Sequence, residues 1–267
     1  ELCHEESLEP FGSGRLCSVE VAASEKAKRR DMASCHHLIE AGSYIFIDSP
    51  VIKKLRSTIM ELLVSDYPEG KLNPGDDDLP TDFQKLLDQL NIKRSRFPLT
   101  SLKRQPDISH PYIHFDANQC IHCYKCIRAC DEVQGEMVLA MKGRGYDSEI
   151  IFSMDQNIKD SGCVACGQCV QSCPTNALTD KHHAKTLNYD ARVHTVCTYC
   201  GVGCNLDVLL KEGEIKAITS VKDAEVNQGH ACLKGRYAFE YYNHPDRLTT
   251  PLIRKDNQLE PASWDEA

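Results

Sequence analysis

The chain has 267 residues, 26% of them charged and 41% hydrophobic, with a formal net charge of −8. That length accommodates two or more domains of roughly 100–200 residues each, and the composition is that of a soluble globular protein rather than a disordered one. No apolar run approaches the ~20 residues a membrane span needs, and the acidic balance argues against nucleic acid, whose partners need a basic face.

In chain order, "KAKRR" (26–30) reads as a solvated loop in an acidic protein rather than a localisation patch. "SPVIKKLRSTIMELLVSD" reads as a helix: Ser49 caps it, Pro50 suits its first turn, and Ile52, Leu55, Ile59, Leu62 and Leu63 form an apolar stripe. "YPEGKLNPGDDDLP" is a loop, and its "DDD" (76–78) lacks the spaced oxygens and distal Glu of a calcium site. "TDFQKLLDQLNI" is a second helix, with Thr81 and Gln84 as a capping box and Phe83, Leu86, Leu87 and Leu90 on one face. Residues 93–119 read as an irregular, basic-polar linker. Residues 205–221 alternate apolar and polar around Glu212-Gly213, which predicts a hairpin. The last residues, "ASWDEA", place Ser263 and Glu266 as a capping box that opens a helix. With Glu at position 1 and a helix starting at the end, the sequence reads as an internal stretch of a longer polypeptide.

The cysteines carry the chemistry. There are fifteen, and an odd number leaves one unpaired in any all-disulfide scheme. Thiols two residues apart are poorly placed to bond each other but suit two corners of one inorganic cube. Cys120, Cys123, Cys126 and Cys130 recur 43 residues later as Cys163, Cys166, Cys169 and Cys173, followed by Pro174. This is the C-x2-C-x2-C-x3-C-P run of two-cluster ferredoxins, in which the fourth cysteine ligates the other cluster. The expected sets are therefore Cys120, Cys123, Cys126 and Cys173 for one 4Fe–4S cluster, and Cys163, Cys166, Cys169 and Cys130 for the other. Zinc is the alternative, but zinc sites typically use two separated pairs and need no third cysteine at the same short interval. A third group, Cys197, Cys200, Cys204 and Cys232, is unevenly spaced. Its glycines let the backbone wrap close to sulfur, which suits another 4Fe–4S cube; from spacing alone zinc stays open there.

"CTYCGVGC", "GHACLKGRYAF", "NHPDRLTTPLIR" and "ASWDEA" together resemble the opening of the catalytic part of molybdopterin-dependent formate dehydrogenases. The upstream segments resemble the same family's NAD-linked cytoplasmic branch and the large iron–sulfur subunit of respiratory complex I. The resemblance implies an α+β chain in four parts. A partial 2Fe–2S ferredoxin-like (β-grasp) domain covers residues 1–66, and a degenerate cluster segment with linker covers 67–111. A two-cluster 4Fe–4S ferredoxin domain covers 112–186, and the start of a molybdopterin-oxidoreductase 4Fe–4S domain covers 190–267. It implies three 4Fe–4S clusters in a cytoplasmic protein. It also implies a molybdenum or tungsten bis(pterin guanine dinucleotide) further along the polypeptide, and Lys234 as the bridge between cluster and pterin. Formate would be oxidised at that metal, and the electrons would leave to a flavin/iron–sulfur subunit of an NAD-reducing module. No residue here reads as a general base or nucleophile; His194 and His230 read as supporting residues. The rival reading is a non-catalytic carrier subunit of a complex I- or hydrogenase-like assembly.

Two departures from the family stand out. The 2Fe–2S motif matches at Cys3, Cys17 and Cys35, but its second cysteine is replaced by Gly14. Ser13, His4, His36 or His37 would have to substitute, or the site is vestigial and the 2Fe–2S cluster altered or absent. The family's histidine-ligated cluster also lacks its ligands, with no cysteine between Cys35 and Cys120 and Tyr67 where the histidine would stand.

Overall fold

The computed structural model describes residues 2–98 and 104–267; the part of the expected linker at 99–103 lies outside them. The chain opens with a small antiparallel sheet. Its central strand β1 (Ser18–Ala22) is flanked by β2 (Arg30–Ala33) and β3 (Tyr44–Phe46). "KAKRR" is the exposed turn into β2, and Arg30 is the first residue of that strand.

Helix α1 (Pro50–Ser65) follows, with the Ser49 side chain accepting from the Ile52 amide. Its buried face differs from the expected stripe: Ile52, Met60 and Val64 are buried, while Leu62 is 43% exposed. The helix packs both on β1 and beside α2 (Asp82–Gln89), so its apolar seam turns toward the two neighbours together. The capping box of α2 forms as expected, with Thr81 and Gln84 exchanging hydrogen bonds.

Four short strands and two short helices build the middle of the chain. β4 (Ile113–Phe115) pairs with β7 (Leu178–Asp180), and β5 (Leu139–Lys142) pairs with β6 (Glu149–Phe152). Between them lie α3 (Lys125–Arg128), prolonged by a π turn over Ala129–Gln134, and α4 (Gln168–Ser172). The described residues from 104 onward are not a linker. Arg104 exchanges hydrogen bonds with Asn118, and Asp107 pairs with Phe115.

A second antiparallel sheet comprises β8 (Ala191–Val196), β9 (Asn205–Lys211) and β10 (Glu214–Ser220), with β9 central. The expected hairpin is β9–β10, turning at Glu212 and Gly213, both at positive φ. Helix α5 (Leu233–Tyr237) packs on β10. A last hairpin, β11 (Leu252–Lys255) and β12 (Gln258–Pro261), turns at Asp256-Asn257, again at positive φ. At "ASWDEA" the last residues form a turn over 264–266. Ser263 and Glu266 make the expected reciprocal capping bonds around that turn.

Candidate metal centres

The two cysteine runs fold into loops of one shape. His122 and Tyr124 take φ of 52° and 64°; their counterparts 43 residues on, Ala165 and Gly167, take 53° and 75°. Left-handed residues alternating with right-handed ones turn successive amide N–H groups toward a common centre, where they face negative charge. The amides of His122 and Lys125 donate to the thiols of Cys120 and Cys123. Those of Ala165 and Gln168 do the same for Cys163 and Cys166. Each loop then enters its short helix, which carries Cys126 or Cys169 into the core.

The thiols border two small cavities of equal volume, about 20 Å³ each. Cys120, Cys123, Cys126 and Cys173 line the first, with Phe115, Ile150 and Leu178. Cys163, Cys166, Cys169 and Cys130 line the second, with Ile113, Val138 and Leu139. The fourth cysteine of each run thus stands at the other run's cavity. Each of these exchanged thiols also accepts a backbone amide, Cys130 from Val138 at 3.3 Å and Cys173 from Leu178 at 3.5 Å. Burial pushes the Cys120 and Cys123 thiols up to about 12 and those of Cys126 and Cys169 well above the usual range. Bare, they hold their protons at neutral pH; a bound metal is what turns such thiols into thiolates.

Cys197, Cys200, Cys204 and Cys232 line one open cleft, together with Tyr199 and Lys234. The Cys197 amide bonds the Cys204 carbonyl at 2.8 Å, and Gly203 takes the left-handed turn between Val202 and Cys204 with φ 67°. Gly235 lies close beneath: a Cβ there would stand 3.9 Å from Cys197 Sγ. Lys234 is exposed at the cleft. Cys166 also lines this cleft, so the second cavity and the cleft share a wall. Among the described residues no three His, Cys, Asp or Glu side chains close to the spacing of a single metal ion.

The N-terminal set is three thiols and a gap. Cys17 and Cys35 are 3.4 Å apart, sulfur to sulfur. Gly14 donates its amide to Cys3 Sγ at 3.4 Å, and a Cβ at Gly14 would stand 3.1 Å from that sulfur. The position lacking a thiol therefore lies beside Cys3, as Cys35 lies beside Cys17. Of the possible substitutes, the Ser13 hydroxyl donates to the Cys123 carbonyl at 3.1 Å. His4 and His36 are exposed, and His36 lies against Gly12.

Where the family's histidine-ligated cluster would be, the structure has apolar core. Tyr67 is buried, its ring 4.8 Å from that of Phe83, and its hydroxyl donates to the Thr175 carbonyl at 3.1 Å. His194 stands 3.3 Å from the Asp207 carboxylate, and His230 stands 2.6 Å from Gln168 Nε2, so both are engaged within the protein.

Sequence patterns alone missed how the two loops are docked. Position 125 and its counterpart 168 both reach out of the ferredoxin-like part. Lys125, 5% exposed, pairs with Glu5 at 2.9 Å, and Gln168 meets His230. Against burial, which pushes it up, Lys125 and Lys222 hold the Glu5 carboxyl below its usual range. Positions 128 and 171 repeat the pattern. Arg128 donates to the Glu9 carbonyl, and Gln171 accepts from Arg236 at 2.7 Å. The 43-residue offset was legible at the cysteines and equally present at these polar positions.

Two family descriptions match the chain. Residues 110–179 match the ferredoxin-like domain of NADH-quinone oxidoreductase subunit 3, and residues 190–244 match the molybdopterin oxidoreductase Fe4S4 domain. A Rhizobium meliloti protein, one of the subunits of an NADH-quinone oxidoreductase, is 29% identical over 99% of this chain and 31% of its own length. A Staphylococcus haemolyticus protein named as a formate dehydrogenase is 25% identical over 100% of this chain and 30% of its own. The chain thus spans about a third of the length of these relatives. A crystal structure of an NAD+-reducing [NiFe]-hydrogenase aligns with a TM-score of 0.57 and 27% identity, over 68% of this chain and 74% of that one. Over these two stretches the chain is thus similar to iron–sulfur domains of the NADH-quinone and molybdopterin oxidoreductases.

Proposed function

We propose that this chain conducts single electrons through three 4Fe–4S clusters held by the twelve cysteines between Cys120 and Cys232. One observation carries the reading: two similar thiol-lined cavities exchange their fourth cysteines, and the second shares Cys166 with a third set. When bound, such clusters accept and release one electron each. The residues fit them. Inward amides bond the sulfurs, and apolar side chains line the first two cavities beside the thiols. Cys126 and Cys169 are electrostatic neighbours, as are Cys3 and Cys123, so the thiol sets form a row along the chain.

The division proposed for the chain is 1–66, 67–111, 112–186 and 190–267, the first part being a β-grasp 2Fe–2S-type domain. Its three thiols and Gly14 do not fit an ordinary all-cysteine cluster, and no electron step is assigned there. The protein is proposed to be cytoplasmic. Among the described residues no helix is long and apolar enough to cross a membrane.

The activity served is proposed to be formate oxidation at a molybdenum or tungsten pterin, after the relative named as a formate dehydrogenase. In that case Lys234, exposed in the cleft of the third set, would contact the pterin. The electrons would pass to a flavin-bearing, NAD-reducing partner. The likeness to an NAD+-reducing [NiFe]-hydrogenase supports a second reading, a carrier segment with no pterin metal. Metal analysis of the purified protein separates them. Molybdenum or tungsten, with formate-driven bleaching of the clusters, supports the first reading; iron alone with no response to formate supports the second.

A further inference from the structure

Arg236 follows Lys234 by two residues, yet the two differ sharply. Lys234 is exposed, whereas Arg236 is 5% exposed and reaches back into the ferredoxin-like part. Its Nε donates to the Cys166 carbonyl at 2.7 Å, and its Nη2 donates to Gln171 Oε1 at 2.7 Å and Ser220 Oγ at 3.1 Å. Its stem covers Gly167, where a Cβ would stand 2.8 Å from Arg236 Cδ; with φ at 75°, glycine is required there twice over.

All three acceptors are neutral. A buried guanidinium with only neutral partners is costly unless a negative charge lies nearby. No carboxylate of the described residues comes within ion-pair distance. Asp180 acts on Arg236 only from farther away, and its Oδ1 already accepts the amides of His182 and Ala184. Its electrostatic neighbours are Tyr237, Cys166, Asp180 and Cys169, two of which belong to the second cysteine set, and its Nε lies against the loop of Cys166 itself. The pseudo-equivalent first cavity differs. Its buried Lys125 is paired with Glu5 at 2.9 Å, and Lys185, which donates to the Cys173 carbonyl, has Asp82 at 3.6 Å.

We infer that Arg236 is a positioning residue that supplies a positive charge with no ion-pair partner to the cluster at Cys130, Cys163, Cys166 and Cys169, raising its reduction potential. The inference rests on the cluster assignment proposed above. Reduction adds negative charge to a cluster, so a nearby fixed cation favours the reduced form. The same side chain ties the loop of Cys166 to the helix after Cys232, fixing the separation of the second and third cysteine sets.

The test is an EPR-monitored redox titration of the anaerobically purified, cluster-loaded protein. The second cluster's signal is assigned by its alteration in Cys163→Ser. In Arg236→Gln, which removes the charge, the reduction equilibrium of that cluster should fall at least tenfold, about 59 mV for a one-electron couple. Gln171→Glu places a carboxylate against the guanidinium without removing it and should shift the same signal in the same direction. Arg236→Lys keeps the charge and should stay near the wild-type value. The other two clusters should move little. If Arg236→Gln fails to retain its clusters, Gln171→Glu decides the matter. An unmoved potential in the charge variants, or an equal fall in Arg236→Lys, overturns the role of Arg236 while leaving the clusters in place. Absence of three 4Fe–4S signals from the wild type would instead overturn the cluster assignment itself.

Discussion

Gly14→Cys should convert the incomplete N-terminal site into a working 2Fe–2S centre. The geometry for it is already present. Two thiolates on one tetrahedral metal, with bonds of about 2.3 Å, stand about 3.8 Å apart, and Cys17 and Cys35 are 3.4 Å apart. The other half-site has Cys3 with a Cβ position at Gly14 only 3.1 Å from its sulfur. That contact is tight by a few tenths of an ångström, which a small rotation of the Cys3 side chain away from position 14 relieves. Gly14 is not among the positive-φ residues, so a cysteine adopts its backbone without strain. The expected gain is about two irons per chain, from about 12 to about 14. A new reducible signal of all-cysteine 2Fe–2S character should appear in EPR. A substitution that adds no iron would refute this. So would a complete all-cysteine signal in the unmodified protein, which would require a donor from elsewhere.

The remaining expectations concern single residues. Cys173→Ala should cost the cluster of Cys120, Cys123 and Cys126 rather than that of its nearer neighbours in sequence, dropping iron by about four per chain; Mössbauer or EPR showing loss of the other cluster would rule out the exchange. Lys234→Ala should leave iron content unchanged yet slow formate-driven reduction of the clusters. Lys234→Arg should rescue only in part, because a planar guanidinium is a poor substitute for a compact ammonium. Tyr67→Phe strips the buried Thr175 carbonyl of its donor and should cost about 1–3 kcal/mol in chemical unfolding; an unchanged midpoint would mean that bond contributes nothing. Asp82, despite burial that pushes it up, is held below its usual range by Lys185 and Lys85. A depressed carboxyl stabilises the fold above its unfolded value and loses that contribution as pH falls through the folded one. Asp82→Asn should therefore unfold more easily at neutral pH and converge with the wild type in acid.

The sequence was most legible where one residue type has one use. Capping residues located α1 and α2, and the cysteine interval of 43 residues located two loops of one shape. The Glu212-Gly213 pair located the β9–β10 hairpin. The β11–β12 hairpin escaped because its turn, Asp256-Asn257, takes positive φ without a glycine to announce it. Leu62 was placed on the buried face because the stripe was drawn for one neighbour, whereas α1 has two. Arg236 was invisible for a deeper reason. Its acceptors lie 70, 65 and 16 residues upstream, and nothing in "CLKGR" distinguishes a buried arginine from an exposed lysine until those segments meet.

Quantifying iron, acid-labile sulfide and zinc together in anaerobically purified protein tests the central claim most directly. The account predicts about 12 irons and as many sulfides per chain, with no stoichiometric zinc. Zinc in place of iron, or iron without matching sulfide, would contradict it.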